Sequence, residues 1–375
     1  MILDDSIIMN KVLQRVLIMA GGTGGHVFPG LALANYLRDQ GIEVHWLGTQ
    51  RGLEAQCVPS AGITFHVIKI GGLRGKNFKT LLLAPFKILT ALYQSCRILY
   101  RIQPNMVIGM GGFVSGPGGV ASWLLGYPLI IHEQNAKAGF TNKILAKFSK
   151  KILEGFPAAF KRQSKVVSIG NPVRLEIEQL PPPQTREAFS ASAPLRLLVL
   201  GGSLGAQAIN ELMPQALKLL PADLSFEVRH QTGQKHDRAA HEAYAAHSKP
   251  NINFHLTPFI EDMAENYAWA NLVLCRAGAL TIAELCAAGL GAILIPFPYA
   301  VDDHQTANAD FMVRHHAALC CQQSAMNAEK LAVLLKDFAE SPEKRLNMAK
   351  AAYELRCIGV SEKIFDILCA VAVNK

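Results

Sequence analysis

The sequence predicts an α/β protein made of two open, mostly parallel sheets, each carrying helices on both faces. Three observations support this. At 375 residues the chain exceeds one ordinary core and fits two domains of about 150–200 residues each. Short β-rich runs alternate with helical stretches, the rhythm of parallel sheets. That rhythm breaks in a polar stretch running from Pro181-Pro182-Pro183 to Pro194, and then restarts.

Taken in order, Val16–Ala20 reads as the first strand, followed by the loop Gly21-Gly22-Thr23-Gly24-Gly25-His26. Pro29–Gln40 reads as a helix, with Pro29 near its first turn, where a missing N–H costs little. Glu43–Leu47, Ile63–Ile70, Met106–Met110 and Leu129–His132 read as the next strands. Gln163–Ile169 then leads into Gly170-Asn171-Pro172-Val173-Arg174, and a second domain is placed from residue 173. Its strand Arg196–Leu200, glycine loop Gly201–Gly205 and helix Ala206–Leu220 repeat the opening pattern. Phe226–His230, Asn271–Leu274 and Ala292–Ile295 continue it as strands. The last helix, about Ser361–Val373, is apolar over much of its surface and needs a packing partner. Two such domains facing each other would line a cleft with the C-terminal ends of their strands, the edge where these sheets bind ligands.

Composition excludes several classes. Half the residues are apolar, ample for a globular interior and against general disorder. The eight cysteines have no CxxC pair and read as reduced thiols. The start is acidic before a short apolar run that enters a glycine loop, so it reads as a tail and first strand, not a signal peptide. No apolar run reaches the ~18 residues of a membrane span. The nearest, Leu81–Tyr100, holds Pro85, Lys87, Gln94 and Arg97, which leaves surface contact open. Net charge is +8. Between Glu54 and Glu133 there is no acidic residue, while Lys69, Arg74, Lys76, Lys79, Lys87, Arg97 and Arg101 fall there. A field of one sign attracts an anionic partner: nucleic acid, anionic lipid or phosphorylated substrate.

Three glycine loops each follow an apolar strand: residues 21–26, Gly109 to Gly119 (with Gly111 and Gly112), and Gly201 to Gln207 (with Ser203). Glycines let backbone N–H groups turn inward at a helix start and cradle phosphate. No GxxxxGK[ST] occurs, so a P-loop is excluded. The GxGxxG spacing fails, and the second strand ends in Trp46-Leu47-Gly48 with no carboxylate for a ribose, which disfavours a nicotinamide or flavin dinucleotide. A nucleoside diphosphate remains. Its ribose holder is sought in Cys275-Arg276-Ala277-Gly278-Ala279-Leu280-Thr281-Ile282-Ala283-Glu284, where Glu284 can accept two hydroxyl hydrogen bonds. Arg276 and the helix start there favour negative charge. Asp302-Asp303-His304-Gln305-Thr306-Ala307-Asn308 reads as a ligand loop. The Asp302-Asp303 pair reads as a solvated turn, and His26, His132 and His304 form no close ligand motif, so no metal site is expected. His26, at the tip of the first loop, suits a general base, a phosphate ligand or a structural role in the turn. The polar side chains of His132-Glu133-Gln134-Asn135, ending a strand, are expected to reach the same edge, to position a substrate or steady the loop.

These stretches together resemble the MurG family, bacterial peptidoglycan enzymes that add N-acetylglucosamine to undecaprenyl-pyrophosphoryl-N-acetylmuramoyl-pentapeptide (lipid I). The likeness rests on GGTGGHVFPGLALA (21–34), GMGGFVSGPGG (109–119), HEQNAKAGFTNK (132–143), GNPVR (170–174), GGSLGAQ (201–207), FIEDMAENYAWANLVLCRAGALTIAEL (259–285) and PFPYAVDDHQTANA (296–309). It implies the GT-B architecture, two Rossmann-like domains across a cleft. Residues 1–172 would be the acceptor-binding, membrane-associating domain, with helix 356–375 packed back on it, and 173–355 the donor domain. The acceptor would lie at Thr23, Gly24, Gly25, Gly111, Gly112, Glu133 and Asn135, with Thr23, Gly24 and Asn135 also reaching the donor. UDP-N-acetylglucosamine would be held by Phe259 and the Ile260 backbone at uracil and by Glu284 at the ribose. Ser203, Arg174 and the Leu280-Thr281 turn, with Gly278 and Ala279 leading in, would lie near the diphosphate. Arg276 would support this region, and His304 and Gln305 would lie beside the donor sugar or phosphates. Some relatives carry two adjacent glutamines where this chain has His304-Gln305.

The resemblance implies a single, inverting displacement without an obligatory metal or other cofactor. The C4 hydroxyl of the muramoyl sugar, deprotonated toward His26, would give a β-1,4 linkage and lipid II. Arg74, Lys76, Phe78, Lys79, Leu82 and Phe86 would face anionic phospholipid, with the remainder of the Leu81–Tyr100 helix buried. The protein would act on the cytoplasmic face of the cell membrane, beside other cell-wall synthesis proteins. Competing readings are another GT-B glycolipid transferase, a UDP-sugar epimerase, or a basic nucleic-acid-binding protein. The last lacks any aromatic platform or recognition motif.

Overall fold

The computed structural model describes residues 13–71, 84–190, 192–202, 205–247 and 249–373. It divides into two compact units: Met1–Pro172 with Gly359–Lys375, and Val173–Ile358.

Unit 1 alternates strand and helix: β1 (Arg15–Met19), α1 (Gly24–Asp39), β2 (Glu43–Gly48), α2 (Glu54–Ser60), β3 (Thr64–Val67), α3 (Ala84–Ile102), β4 (Met106–Gly109), α4 (Ser115–Leu124), β5 (Leu129–Glu133), α5 (Phe140–Leu145), β6 (Lys151–Glu154) and β7 (Val166–Ser168). The strands form one sheet in the order β3-β2-β1-β4-β5-β6-β7, and every described pairing is parallel. A parallel sheet needs cover on both faces, which is why its central strands β1, β4 and β5 are largely apolar. Successive residues of β1 divide between two cores, since strand side chains alternate. Val16 and Ile18 join Trp46, Met106, α1 and the closing helix, whereas Leu17 and Met19 join Leu47, Val107, α3 and α4. The closing helix, Val360–Val373, sets Ile364, Phe365 and Leu368 into the first core, with Phe365 edge-on to Tyr36 of α1 at 6.1 Å between ring centroids.

Unit 2 repeats the plan with α6 (Leu175–Glu178), β8 (Leu195–Leu200), α7 (Gln207–Leu219), β9 (Phe226–Gln231), α8 (Asp237–Ala245), β10 (Ile252–Thr257), α9 (Met263–Trp269), β11 (Leu272–Cys275), α10 (Ala279–Ala288), β12 (Ala292–Leu294), α11 (His304–Arg314), β13 (Ala318–Cys320), α12 (Ala328–Glu340) and α13 (Pro342–Glu354). Its sheet runs β10-β9-β8-β11-β12-β13, again parallel throughout the described pairings.

Two sequence expectations need correction here. The first helix starts at Gly24, not Pro29, so Pro29 lies inside it and His26 sits in its first turn instead of at a loop tip. Pro29 removes one bond toward the preceding turn, a cost the buried apolar face of α1 offsets. Helix α3 is buried on one face only beyond Lys87, not over the whole of that stretch. Its buried residues are Ala84, Ala91, Ser95, Leu99 and Ile102, while Phe86, Ile88, Leu89, Tyr93 and Tyr100 are exposed.

Candidate active site

In both sheets the strand order reverses direction beside the first strand of the unit. The loops leaving β1 and β4 diverge there, and so do those leaving β8 and β11. Such a divergence opens a crevice at the carboxyl edge. In unit 1 it receives the first two glycine loops; in unit 2 it receives the third loop and the segment 276–279.

The two loops of unit 1 interlock through their backbones. Gly112 has φ of +82°, and a Cβ on it would strike the Gly21 carbonyl oxygen. Gly111, with φ of +96°, lies against the imidazole of His26: a Cβ there would fall 2.6 Å from Cδ2 and 2.9 Å from Nε2. His26 is fixed from below by α1, whose N-cap Thr23 carbonyl accepts from the amides of His26 (3.1 Å) and Val27 (3.2 Å). The amides of Gly24 and Gly25 have no carbonyl a turn earlier to bond, so the α1 start offers donors for an anion. The Gly22 amide is engaged otherwise. It donates to Glu54 Oε2 at 3.0 Å, while Glu54 Oε1 accepts from the Thr49 amide and hydroxyl at 3.1 and 2.8 Å. Glu54 is fully buried and clamps this loop. Lying 32 residues beyond Gly22, it carries no local motif and went unnoticed in the sequence.

The segment His132-Glu133-Gln134-Asn135 does not present all its polar groups at the sheet edge, as expected from sequence, because His132, Glu133 and Gln134 are buried. His132 Nε2 donates to the Gly170 carbonyl at 2.9 Å, and Gln134 Nε2 donates to His132 Nδ1 (3.1 Å) and to the Met110 carbonyl (2.8 Å). Burial pushes the His132 pKa down to about 4, so the ring is neutral near pH 7. Glu133 gathers the loop that follows: Oε1 accepts from the Asn135 amide and side chain, Oε2 from the Gly139 amide and Asn142 Nδ2. Asn171 Nδ2 donates to the Gln134 carbonyl at 3.1 Å, tying the GNPVR turn into the same cluster. His26, Gly111, Gly112, Glu133 and Asn135 therefore belong to one connected loop assembly.

In unit 2, α10 begins at N-cap Gly278, with the Ala279 and Leu280 amides in its first turn and Thr281 beside Gly278. Glu284 lies one turn further and is 7% exposed. Its Oε2 accepts from the Tyr267 hydroxyl at 3.0 Å and its Oε1 from Arg174 Nη2 at 3.2 Å. Burial holds the Glu284 carboxyl above its ordinary pKa, against the opposing pull of Arg174. Arg174, expected near a diphosphate, is thus paired with the expected ribose carboxylate. Tyr267 was not singled out in the sequence; it reaches Glu284 because Asp262 caps α9 through the Glu265 amide at 2.8 Å and sets that helix's start. Arg276 braces the strand ends, donating to the carbonyls of Ile295 and Pro296 and to Gln323 Oε1, with its guanidinium over the Phe297 ring.

Gln231 ties the third glycine loop to the 259–260 segment: Nε2 donates to the Gly202 carbonyl at 2.9 Å and Oε1 accepts from the Ile260 amide at 3.1 Å. Phe259 is exposed beside it. Asp302 and Asp303 adopt left-handed φ of +54° and +50° just before His304 opens α11, a strained turn for residues with a Cβ. Gln305 Oε1 accepts from the Phe297 amide at 2.8 Å. Ser203, Arg74, Lys76, Phe78, Lys79 and Leu82 lie outside the described residues; Phe86 is described, and 68% exposed. Among the described residues no group of three or more His, Cys, Asp or Glu could hold a metal ion. No described helix is long and apolar enough to cross a membrane.

Two Rossmann-like units with loop-lined crevices at their switch points define the GT-B class of glycosyltransferases. Residues 16–154 match the Glycosyltransferase family 28 N-terminal domain, and residues 196–362 the Glycosyltransferase family 28 C-terminal domain. A Marinobacter nauticus protein is 51% identical over 361 residues, 96% of this chain and 98% of its own. One from Azotobacter vinelandii is 49% identical over 358 residues, 96% of this chain and 99% of its own. Both are named UDP-N-acetylglucosamine–N-acetylmuramyl-(pentapeptide) pyrophosphoryl-undecaprenol N-acetylglucosamine transferase. The crystal structure of Acinetobacter baumannii MurG superposes with a TM-score of 0.81 at 41% identity, covering 95% of this chain and 99% of that one. The chain belongs to the MurG family of glycosyltransferases.

Proposed function

We propose that this protein transfers N-acetylglucosamine from UDP-N-acetylglucosamine to lipid I, forming lipid II. The observation that carries this is likeness over nearly the whole chain, at about half identity, to transferases of that name. The site geometry supports a division of labour. Unit 1 takes the acceptor at the interlocked loops around His26, and unit 2 takes the donor at α10, with Phe259 against the base and Glu284 at the ribose.

The reaction is read as a single displacement. His26 accepts the proton of the acceptor's C4 hydroxyl as that oxygen attacks the anomeric carbon. The bond to the diphosphate breaks, and UDP leaves from the opposite face. Inversion of an α-linked donor gives the β-1,4 product. Thr23, Gly24 and Gly25 lie at the α1 start, whose open amides suit an anionic group. Charge building on the leaving diphosphate is met by the α10 start and by guanidinium, with Arg174 exchanging its hold on Glu284 for phosphate. This reading requires no bound metal, so EDTA should leave turnover unchanged.

The exposed apolar residues of α3 and the basic interval around them support peripheral docking on anionic lipid, each basic group contributing roughly 1 kcal/mol near the surface. The deciding assay is transfer of labelled N-acetylglucosamine to a short-chain lipid I analogue, with UDP-glucose and UDP-N-acetylgalactosamine as controls. No transfer from any donor would reject the activity, and equal use of all three would reject the donor assignment.

A further inference from the structure

By its place in the sequence Tyr267 is a core aromatic of α9, and its side chain is fully buried. Its hydroxyl is nevertheless directed to one polar partner, Glu284 Oε2, at 3.0 Å. Both helices that carry this pair are pinned. Asp262 caps the start of α9 through the Glu265 amide, and the buried Arg186 closes its other end. Arg186 Nη1 donates to the Tyr267 carbonyl at 3.3 Å. Its Nη2 donates to the Ala288 and Gly289 carbonyls at 2.8 and 2.6 Å, where α10 ends. The approach of Tyr267 to Glu284 is thus set by the framework of unit 2. The two oxygens of Glu284 are unlike. Oε2 is tied inward to a buried hydroxyl, whereas Oε1 faces Arg174, whose side chain is 44% exposed. A carboxylate has about four lone-pair sites, so each oxygen keeps room for one more donor.

We propose that Tyr267 is a positioning residue for donor recognition, its hydroxyl turning the Glu284 carboxylate so that Oε1 meets the ribose hydroxyls of the bound nucleotide. The inference rests on Glu284 as the ribose acceptor. Arg174 is read above as leaving Glu284 for phosphate when the donor binds. Of the two described partners only Tyr267 then still holds the carboxylate, and Oε1 is open to hydroxyl donors. Burial and the facing carboxylate keep the Tyr267 hydroxyl well above its ordinary pKa, so it remains a donor near neutral pH. Its bond also helps keep Glu284 ionised, opposing the upward push of burial as Arg174 does. The titratable and charged groups facing Glu284 are these two, with Cys275 of β11 beside Tyr267. That thiol, pushed up to about 12 by burial, is neutral. A carboxyl that took a proton would offer the ribose fewer acceptor sites and hold it less well.

The test is calorimetric binding of UDP-N-acetylglucosamine and of its 2′-deoxyuridine counterpart to the full-length chain, over the acid and neutral range. The diphosphate of both donors stays ionised there, so an acid limb in affinity belongs to the protein. Tyr267→Phe removes the hydroxyl and keeps the ring. Tyr267→Met removes it in a different packing, so a change common to both variants belongs to the hydroxyl. Both should weaken binding of the ribonucleotide about tenfold near pH 7, the scale of one hydrogen bond to a charged group. The deoxy donor should lose less, which narrows the preference for the ribonucleotide. The acid limb should move up by about one pH unit, because Glu284 then takes its proton more readily. In a Glu284→Ala background neither Tyr267 substitution should weaken binding further. Unchanged binding in both variants overturns the proposal. So does a loss shared equally by the two donors with the acid limb in place, the mark of a tyrosine that only fills the core. If Glu284→Ala itself binds both donors as the parent does, the ribose assignment falls, and the proposal with it.

Discussion

His26 owes its position to neighbours that do no chemistry of their own. Gly111 stands where any side chain would meet the imidazole, in a left-handed conformation that disfavours a Cβ. Gly111→Ala should therefore cost about 1–3 kcal/mol of unit 1 stability through strain and lower turnover by displacing the ring. Thermal melting and steady-state rates, with UDP affinity as control, check both. His26→Ala should leave UDP affinity intact and remove most turnover; unchanged turnover would dismiss it as the base. Glu284 gives a contrasting case. Its folded-state pKa is raised, so its stabilising share is fully present below the ordinary carboxylate range and is lost as pH rises through the raised value. Glu284→Gln cannot ionise. At pH 7 it should melt no lower than the parent, with an advantage of about 1 kcal/mol or less, roughly 2–4 °C, shrinking at acid pH. Donor affinity should drop sharply all the same. A variant that binds UDP-N-acetylglucosamine normally would reject the ribose assignment.

At the scale of elements, much was legible because a parallel strand leaves a continuous apolar run before its glycine loop. The runs opening at Val16, Met106 and Arg196 show this, and each ends in one of the three glycine loops. Three strands escaped notice for physical reasons. β6 is only Lys-Ile-Leu-Glu, charged at both ends; β13 has three residues; β10 is an edge strand with exposed Asn253 and His255. Of the site, the glycines, His26 and Glu284 stand in the sequence beside strand ends. Glu54, Tyr267 and the locked amide of Gln134 depend on partners brought together only by folding. The start of α1 was misplaced because Pro29 looks like a first-turn residue when only local preference is weighed. Two elements invite direct tests. In α3, replacing exposed Phe86, Leu89 and Tyr93 together by Ser should leave melting unchanged and weaken retention on anionic vesicles, since none is a core residue. Retention equal to the parent would move the docking surface elsewhere. In the closing helix, Leu368→Ala should cost about 2–5 kcal/mol, read as a lower unfolding midpoint of unit 1, because Leu368 is fully buried in its core.

For the whole molecule, the two units are unequal in one respect. Unit 2 is a single continuous stretch, Val173–Ile358, whereas unit 1 is completed only by residues from Gly359 onward. The isolated segment 173–358 should fold and bind UDP, measured by calorimetry, while 1–172 alone should expose the apolar face that Ile364, Phe365 and Leu368 cover. This discontinuity orders events on the ribosome. The half made first must wait, unfinished and sticky, until the half made second and then helix Val360–Val373 have come free of the exit tunnel. A nascent chain stalled anywhere before Val360 is thus a ready client for chaperones, and loss of the residues from Gly359 onward would remove unit 1's support while leaving unit 2 whole.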